Sequence, residues 1–277
     1  MMVFNDDQLR QYQDEGYLYP IDVLTPAEVA ACRASLEAVE ARQGGKLEPA
    51  QRPKSHLLFK WLDDLIRDPR VLDPIEALIG PNILCWNTIF WIKDARSETF
   101  VSWHQDDAYW GLSNDKVITA WLALSPAGVE NGCMRVMPRT HRGAGLNHQE
   151  TYHQDNMLTR GQVITDGVDD DHAVHMALAP GQMSIHNYRL AHASGPNMGT
   201  DRRIGISMHF MPADTKQLIG EWDSAALVRG EDSTGAFVHT PRVSADLDPA
   251  ILPFHAKAAQ AVSDIVYHGA QQNTGRL

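Results

Sequence analysis

His104 and Asp106 stand two residues apart in Trp103-His104-Gln105-Asp106, and His192 opens the distant run His192-Ala193-Ser194-Gly195-Pro196-Asn197. Two imidazoles and one carboxylate are the ligand set of non-haem Fe(II) oxygenases, where three protein ligands leave three positions open for a bidentate cosubstrate and dioxygen. The spacing has a local rationale. If Val101 to Gln105 ends a strand, alternate side chains share a face, so His104 and Asp106 point at one ion while Gln105 points away. Arg203, eleven residues after His192, adds a planar guanidinium that can hold a carboxylate through two parallel hydrogen bonds. The far carboxylate of 2-oxoglutarate is such a target.

A His-x-Asp pair alone carries little weight in a chain with 13 His and 35 acidic residues, so the elements that must position it matter. From Ile83 onward, short apolar runs rich in Val, Ile, Thr and Trp are broken by Gly, Pro, Asn and Asp, the texture of an antiparallel jelly roll. Expected strands are Ile83 to Lys93, Phe100 to Gln105, Val117 to Ser125, Met134 to Pro138, Ala173 to Ala177, Met183 to Asn187 and Ile204 to Met211. Two facing sheets would then bring His104 and His192 together. Upstream, Asn5 or Asp6 caps a helix to about Asp14 ended by Gly16, and Thr25-Pro26-Ala27-Glu28 is a capping box with Pro at the first helical position, predicting a helix from Pro26 to about Gln43. Two more helices are expected over Leu57 to Asp68 and Pro69 to Leu78. The long polar segment Gly143 to Asp171 reads as a functional lid or a disordered excursion, Trp222 to Phe237 as a second loop over the same mouth, and Ala250 to Tyr267 as a final helix. His148, His153, His172 and His175, in or beside the first loop, lack ligand spacing to a carboxylate. The predicted fold class is mainly β with flanking helices: a double-stranded β-helix (jelly roll, cupin-like) with N-terminal helices packed on one sheet. It forms a single domain over 1–277, helical over about 5–80, jelly-roll over about 83–212, with a C-terminal loop and helix over about 213–277.

Several further runs keep this order. They are Gly80-Pro81-Asn82-Ile83 leading into Asn87-Thr88-Ile89-Phe90-Trp91-Ile92-Lys93, then Thr119-Ala120-Trp121-Leu122-Ala123-Leu124, Asn131-Gly132-Cys133-Met134-Arg135-Val136-Met137-Pro138, and Thr140-His141. With the ligand motifs they make most of the chain resemble the phytanoyl-CoA dioxygenase family of iron and 2-oxoglutarate oxygenases. The resemblance implies that His104, Asp106 and His192 hold Fe(II), that Arg203 and Ser194 bind the 2-oxoglutarate carboxylate, and that Trp121 lines the same pocket, with Asn87, Gln105 and Lys54 as further cosubstrate contacts. O2 is the second cosubstrate and ascorbate an accessory reductant. Arg202 competes with Arg203 for the carboxylate, and only strand register separates them. One departure is Arg139, where the family commonly has Gly. Asp106 stands where halogenating relatives carry a small residue, which favours hydroxylation.

For the substrate, Asp107, Tyr109 and Trp110 follow the iron pair and Asn187, Tyr188 and Arg189 precede His192. An anion beside two aromatic rings suits an ammonium group, and Arg189 or Arg139 would meet an anion at the other end. A small zwitterion fits, the best guess being C1 of 2-aminoethylphosphonate or its N-methylated (2-trimethylammonioethyl)phosphonate relative. The competing reading is core and rim packing by the aromatics. Alternatives are the same chemistry on an amino acid derivative, betaine, secondary metabolite or acyl-CoA, a non-oxygenase jelly-roll enzyme using Zn²⁺ or Mn²⁺ at the same triad, or a ligand-binding module with a degenerate site. No catalytic residue beyond the iron site is expected.

Composition narrows the class. Apolar residues make 43% and charged residues 21% of 277 residues, ordinary for a globular protein. A formal charge of -11 without a basic stripe argues against nucleic acid. Cys32, Cys85 and Cys133 are too few and scattered for a disulfide framework, which suits a reducing cytoplasm. Met1-Met2-Val3-Phe4-Asn5-Asp6-Asp7 lacks a secretory pattern and no run approaches a membrane span, so a cytoplasmic protein acting on a small molecule is expected, as monomer or homo-oligomer.

Overall fold

The N-terminal helices form where their capping signals lie. In the computed structural model, which describes residues 3–275, Asn5 and Gln8 close a capping box on α1 (Asp6–Glu15), and Gly16 ends it at φ 89°. Met1 and Met2, which begin the segment read above as lacking a leader, lie outside the described residues. Thr25 and Glu28 cap α2 (Pro26–Gln43) in the same way. The third helix is shorter than expected. Ser55–Leu57 is a 3-10 turn and Phe59 is extended at φ -123°, so α3 starts only at Lys60 and runs to Leu65. Asp68 then caps α4 (Pro69–Ile79), with Pro69 in the first turn.

Among the described residues, thirteen strands form the expected jelly-roll texture. They are β1 (Tyr17–Asp22), β2 (Ile83–Lys93), β3 (Val101–His104), β4 (Ile118–Ala123), β5 (Met134–Val136), β6 (His148–Glu150), β7 (Gln162–Ile164), β8 (Val174–Met176), β9 (Gln182–Asn187), β10 (His192–Ser194), β11 (Arg203–Pro212), β12 (Ser224–Arg229) and β13 (Val238–His239). One helical turn, α5 (Asp107–Trp110), follows β3, and α6 (Leu252–Val266) is the last helix among the described residues. The major sheet has the order β1-β9-β4-β11-β2-β12-β13, and the minor sheet the order β3-β10-β5-β8. The fold is therefore the jelly roll the sequence predicted. Two expectations change. Trp222 to Phe237 is not all loop, because Ser224–Arg229 pairs with β2 and extends the major sheet. The segment Gly143 to Asp171 carries the β6/β7 hairpin.

Alternation in the major sheet decides what faces the interior. On β11 the side chains of Ile204, Ile206, Met208 and Phe210 join Leu36, Leu62, Ile66, Leu72 and Ile75 in the core beneath the helices. Arg203, Gly205, Ser207 and His209 consequently face the other way, toward the minor sheet. Ile118, Ala120 and Leu122 of β4 repeat the pattern against Thr119 and Trp121, as do Met183 and Ile185 of β9 against Ser184 and His186. Helices thus cover one face of the sheet, and the other is left to line a cavity. Among the described residues no helix is long and apolar enough to cross a membrane.

Candidate active site

His104 and His192 are Cα partners across β3 and β10, so two neighbouring strands of the minor sheet present them side by side, with ring centroids 4.1 Å apart. The expectation that they would meet from facing sheets is corrected: one antiparallel register brings them together. Asp106 is not the next strand residue but the helical turn entry, at φ -71° and ψ -36°, with its N–H donating to Tyr188 O at 2.9 Å. Its Oδ1 lies 3.3 Å from His104 Nε2 and 3.9 Å from His192 Nε2. The three ligand atoms all lie within 4.8 Å of one another, the only such group among the described residues.

This donor set fits a divalent cation. His104 Nδ1 sits 3.0 Å from Ser102 O and His192 Nδ1 2.9 Å from Leu190 O. A carbonyl can only accept, so Nδ1 carries the proton and both Nε2 lone pairs face the common point. Burial pushes both imidazoles down to about 4, which keeps them neutral ligands, and pushes the Asp106 carboxyl up to about 6. A cation between them relieves that last penalty. Thr119 Oγ1 donates to Asp106 Oδ2 at 3.4 Å and orients the carboxylate.

The same cavity holds a cation without an anion. Arg203 is 2% exposed and has no ion-pair partner among the described residues, its Nε makes no hydrogen bond, and its guanidinium lies 5.2 Å over the Trp121 ring. Burial lowers its pKa to about 10. Arg202 is turned outward and bidentate to Glu40, at 2.8 Å from each nitrogen, so register separates the two arginines. Gly205 makes room for the Trp121 ring, since a Cβ there would stand 1.8 Å from Cζ2. Lys93, the Cα partner of Arg203, is fully buried, donates to Ser194 Oγ at 2.7 Å, and also bonds Gly195 O. With Nζ–H occupying a lone pair of that oxygen, the Ser194 hydroxyl hydrogen is free to point into the cavity. Arg203, Trp121 and Ser194 all line it.

Several predicted residues lie elsewhere. Lys54 and Asn87 belong to the scaffold. Lys54 Nζ bonds Trp86 O and, at 2.6 Å, Ser224 O, with Asp223 Oδ1 at 3.5 Å. Asn87 Oδ1 accepts Lys54 N–H at 2.6 Å. Gln105 points away from the triad: its Oε1 accepts Leu146 N–H at 2.7 Å and its Nε2 donates to Arg189 O at 2.5 Å. Asp107 and Arg189 face each other at 3.4 Å instead of the cavity, and Asn187 closes the turn after β9 by accepting Arg189 N–H at 2.9 Å. Arg139 takes φ 73°, the conformation that favours Gly, and pairs with Glu15 away from the cavity. Tyr109 and Trp110 do line the cavity.

Sequence reasoning missed Lys93, His186, His209 and the apolar wall of Met157, Leu158, Val262 and Val266. The β11 alternation was a signal for His209; nothing local marked Lys93, which only the strand pairing brings beside Arg203. Nothing local marked α6 as a cavity wall.

Comparison with known proteins agrees with this geometry. The sequence model for phytanoyl-CoA dioxygenase (PhyH) matches residues 12–205. A probable alpha-ketoglutarate-dependent hypophosphite dioxygenase of Stutzerimonas stutzeri is 26% identical over 233 residues, 77% of this chain and 81% of that protein. Human peroxisomal phytanoyl-CoA dioxygenase is 25% identical over 231 residues, 75% of this chain and 68% of that one. The apo structure of the non-heme monooxygenase ThoJ superposes with a TM-score of 0.83 at 33% identity, covering 96% of this chain and 99% of its own.

Proposed function

Since the chain belongs to the phytanoyl-CoA dioxygenase family and is an Fe(II)- and 2-oxoglutarate-dependent dioxygenase, we propose that it hydroxylates an unactivated C–H bond of a small metabolite. The observation that carries this reading is one cavity lined both by a His104, Asp106, His192 triad and by the unpaired, buried Arg203. In it His104, Asp106 and His192 hold the iron, and Arg203 takes the distal carboxylate of 2-oxoglutarate with the Ser194 hydroxyl and Trp121 beside it. Bound iron, with 2-oxoglutarate and O2, supplies the oxidising power that breaks the C–H bond. The chain's own residues bind, orient and exclude water. Trp121 and Gly205 set the depth at which the cosubstrate lies, and Trp110, Met157, Leu158, Val262 and Val266 keep the outer cavity dry.

The finer reading is hydroxylation at C1 of 2-aminoethylphosphonate or its N-trimethylated form. Tyr109 and Trp110 stand on the cavity wall, where a cationic group would share Tyr109 with the Arg160 guanidinium 5.1 Å over its ring. Arg52, also on the wall and without an ion pair among the described residues, suits a phosphonate. The hypophosphite dioxygenase relative also takes a phosphorus compound by its name. Asp107 and Arg189 no longer support it, because they pair with each other.

The test is succinate formation from 2-oxoglutarate by Fe(II)-loaded protein in air, with these phosphonates, hypophosphite, betaines, amino acids and an acyl-CoA thioester. Strong stimulation by either phosphonate is expected. Background turnover that no phosphonate stimulates removes the phosphonate reading, and absence of succinate from iron-loaded protein removes the oxygenase reading.

A further inference from the structure

Beneath the triad one row of side chains crosses the inner face of the major sheet: His186 of β9, Thr119 of β4 and His209 of β11, each a Cα partner of the next. Thr119 reaches Asp106, so the row lies at the level of the metal ligands, with an imidazole on either side. The two histidines differ in what they face. His186 packs on the metal ligand His192, with ring centroids 4.6 Å apart. His209 instead stacks on Trp110, at 4.3 Å and 28°, on the side of the cavity walled by Trp110 and Tyr109. It is 2% exposed, and its Nδ1 has no hydrogen-bond partner. A buried ring nitrogen in this state points to a polar atom that the bound state supplies.

The tautomer follows from a short relay. Trp91 Nε1–H, a donor only, gives its hydrogen to Ser207 Oγ at 3.0 Å, and Ser207 Oγ lies 3.0 Å from His209 Nε2. The Ser207 hydroxyl keeps one hydrogen to give, and His209 Nε2 is the acceptor within reach of it among the described residues, which favours the arrangement in which Ser207 donates. His209 Nε2 is then unprotonated and Nδ1 carries the hydrogen. Burial keeps the ring neutral, pushing its pKa down to about 3.

On the reading of the site given above, we propose that His209 is a specificity-determining residue whose Nδ1–H donates a hydrogen bond to an acceptor oxygen, carboxylate, carbonyl or phosphoryl, borne by the substrate next to the carbon that reacts. The stacked Trp110 fixes the plane of the imidazole, and the Trp91 to Ser207 relay fixes its hydrogen, so the donor is organised before substrate arrives. A substrate lacking that oxygen leaves the N–H unpaired, which discriminates more strongly than a missing methylene does.

The test uses amide side chains that imitate one nitrogen each: His209→Asn places an N–H near Nδ1, His209→Gln near Nε2, and His209→Phe places none. Each Fe(II)-loaded variant is assayed for substrate-free succinate formation, for its half-saturating 2-oxoglutarate concentration, and for stimulation by 2-aminoethylphosphonate, its trimethylammonium form and glycine betaine. Substrate-free turnover and the half-saturating 2-oxoglutarate concentration are read in each variant as the control for an intact iron and cosubstrate site. The Michaelis constant for a stimulating compound should rise about tenfold in Gln and Phe and be largely restored in Asn. Independently, ¹⁵N-histidine spectra of wild-type protein loaded with Zn²⁺ and 2-oxoglutarate, with His209 assigned by its loss in the Phe variant, should show an Nδ1–H tautomer whose resonance moves when one of these compounds is added. An Nε2–H tautomer, a resonance that none of them moves, or a Phe variant as responsive as wild type overturns the proposal. Loss of substrate-free succinate in the wild type instead overturns the oxygenase reading and leaves the tautomer result standing by itself.

Discussion

His104 and His192, 88 residues apart in the chain, are direct Cα partners on antiparallel strands. That one register puts two neutral imidazoles side by side, tilted by 48°, and leaves Asp106, at the entry of the next helical turn, to complete the triad. Replacing either histidine by Ala should therefore remove iron binding and turnover together, because two ligands of three hold a divalent ion too weakly. Iron content after desalting and succinate formation check this; a variant that keeps both would exclude the triad as the metal site.

The two adjacent arginines test the proposed cosubstrate contact against a structural one. Arg203→Ala should raise the 2-oxoglutarate concentration needed for half-maximal succinate formation by tenfold or more, a loss of about 1.5–3 kcal/mol for a charged hydrogen-bonded contact. Arg202→Ala should leave that concentration unchanged and lower stability by about 1 kcal/mol through the partly exposed Glu40 pair. Titrations of both variants, with thermal melts, distinguish the roles.

If Arg203 and Ser194 hold 2-oxoglutarate as proposed, Lys93 behind Ser194 should give its binding a pH dependence. Burial first, then the nearby Arg203, lowers its pKa to about 6, so at neutral pH it is largely unprotonated in the free protein. A bound dianion favours the charged form, so binding takes up a proton. Apparent 2-oxoglutarate affinity should be highest below pH 6 and fall as pH rises above it, until the raised pKa of the complex is passed. Lys93→Met should flatten that profile. The same shift makes the free protein gain stability as pH rises from about 6 toward the ordinary lysine value of 10.5, because the unfolded chain holds the proton more strongly; this rise should also vanish in the variant.

Gly205→Ala should fail for want of space. Its Cβ would stand 1.8 Å from Trp121 Cζ2, so the indole must leave its place beside Arg203. A stability loss of about 1–3 kcal/mol and weakened 2-oxoglutarate binding are expected together, read by denaturant unfolding and cosubstrate titration.

Lys54 should behave as scaffold. Lys54→Met leaves Asp223 buried without its cation, which costs about 3–5 kcal/mol, while the 2-oxoglutarate requirement of the folded fraction stays as in wild type. A raised requirement at unchanged stability would return Lys54 to the cosubstrate site.

The sequence by itself determined what short-range rules control. Capping boxes at Asn5 and Thr25 placed α1 and α2, because a cap is a local hydrogen-bond arrangement within four residues. Alternation along Arg203 to Phe210 separated a helix-facing from a cavity-facing set, because successive strand side chains point to opposite faces. The three candidate ligands were legible as residue types at a telling spacing. Tertiary structure decided the rest. Whether Lys54 or Lys93 stands behind Ser194 depends on which strand lies beside β11, a pairing across more than a hundred residues that no local pattern encodes. Asp107 and Arg189 looked like two ends of a substrate site and turned out to be each other's partners, since opposite charges brought together by the turn before His192 pair in preference to facing an apolar cavity. His209 became a candidate only when packing put it on Trp110 and left one of its nitrogens without a partner.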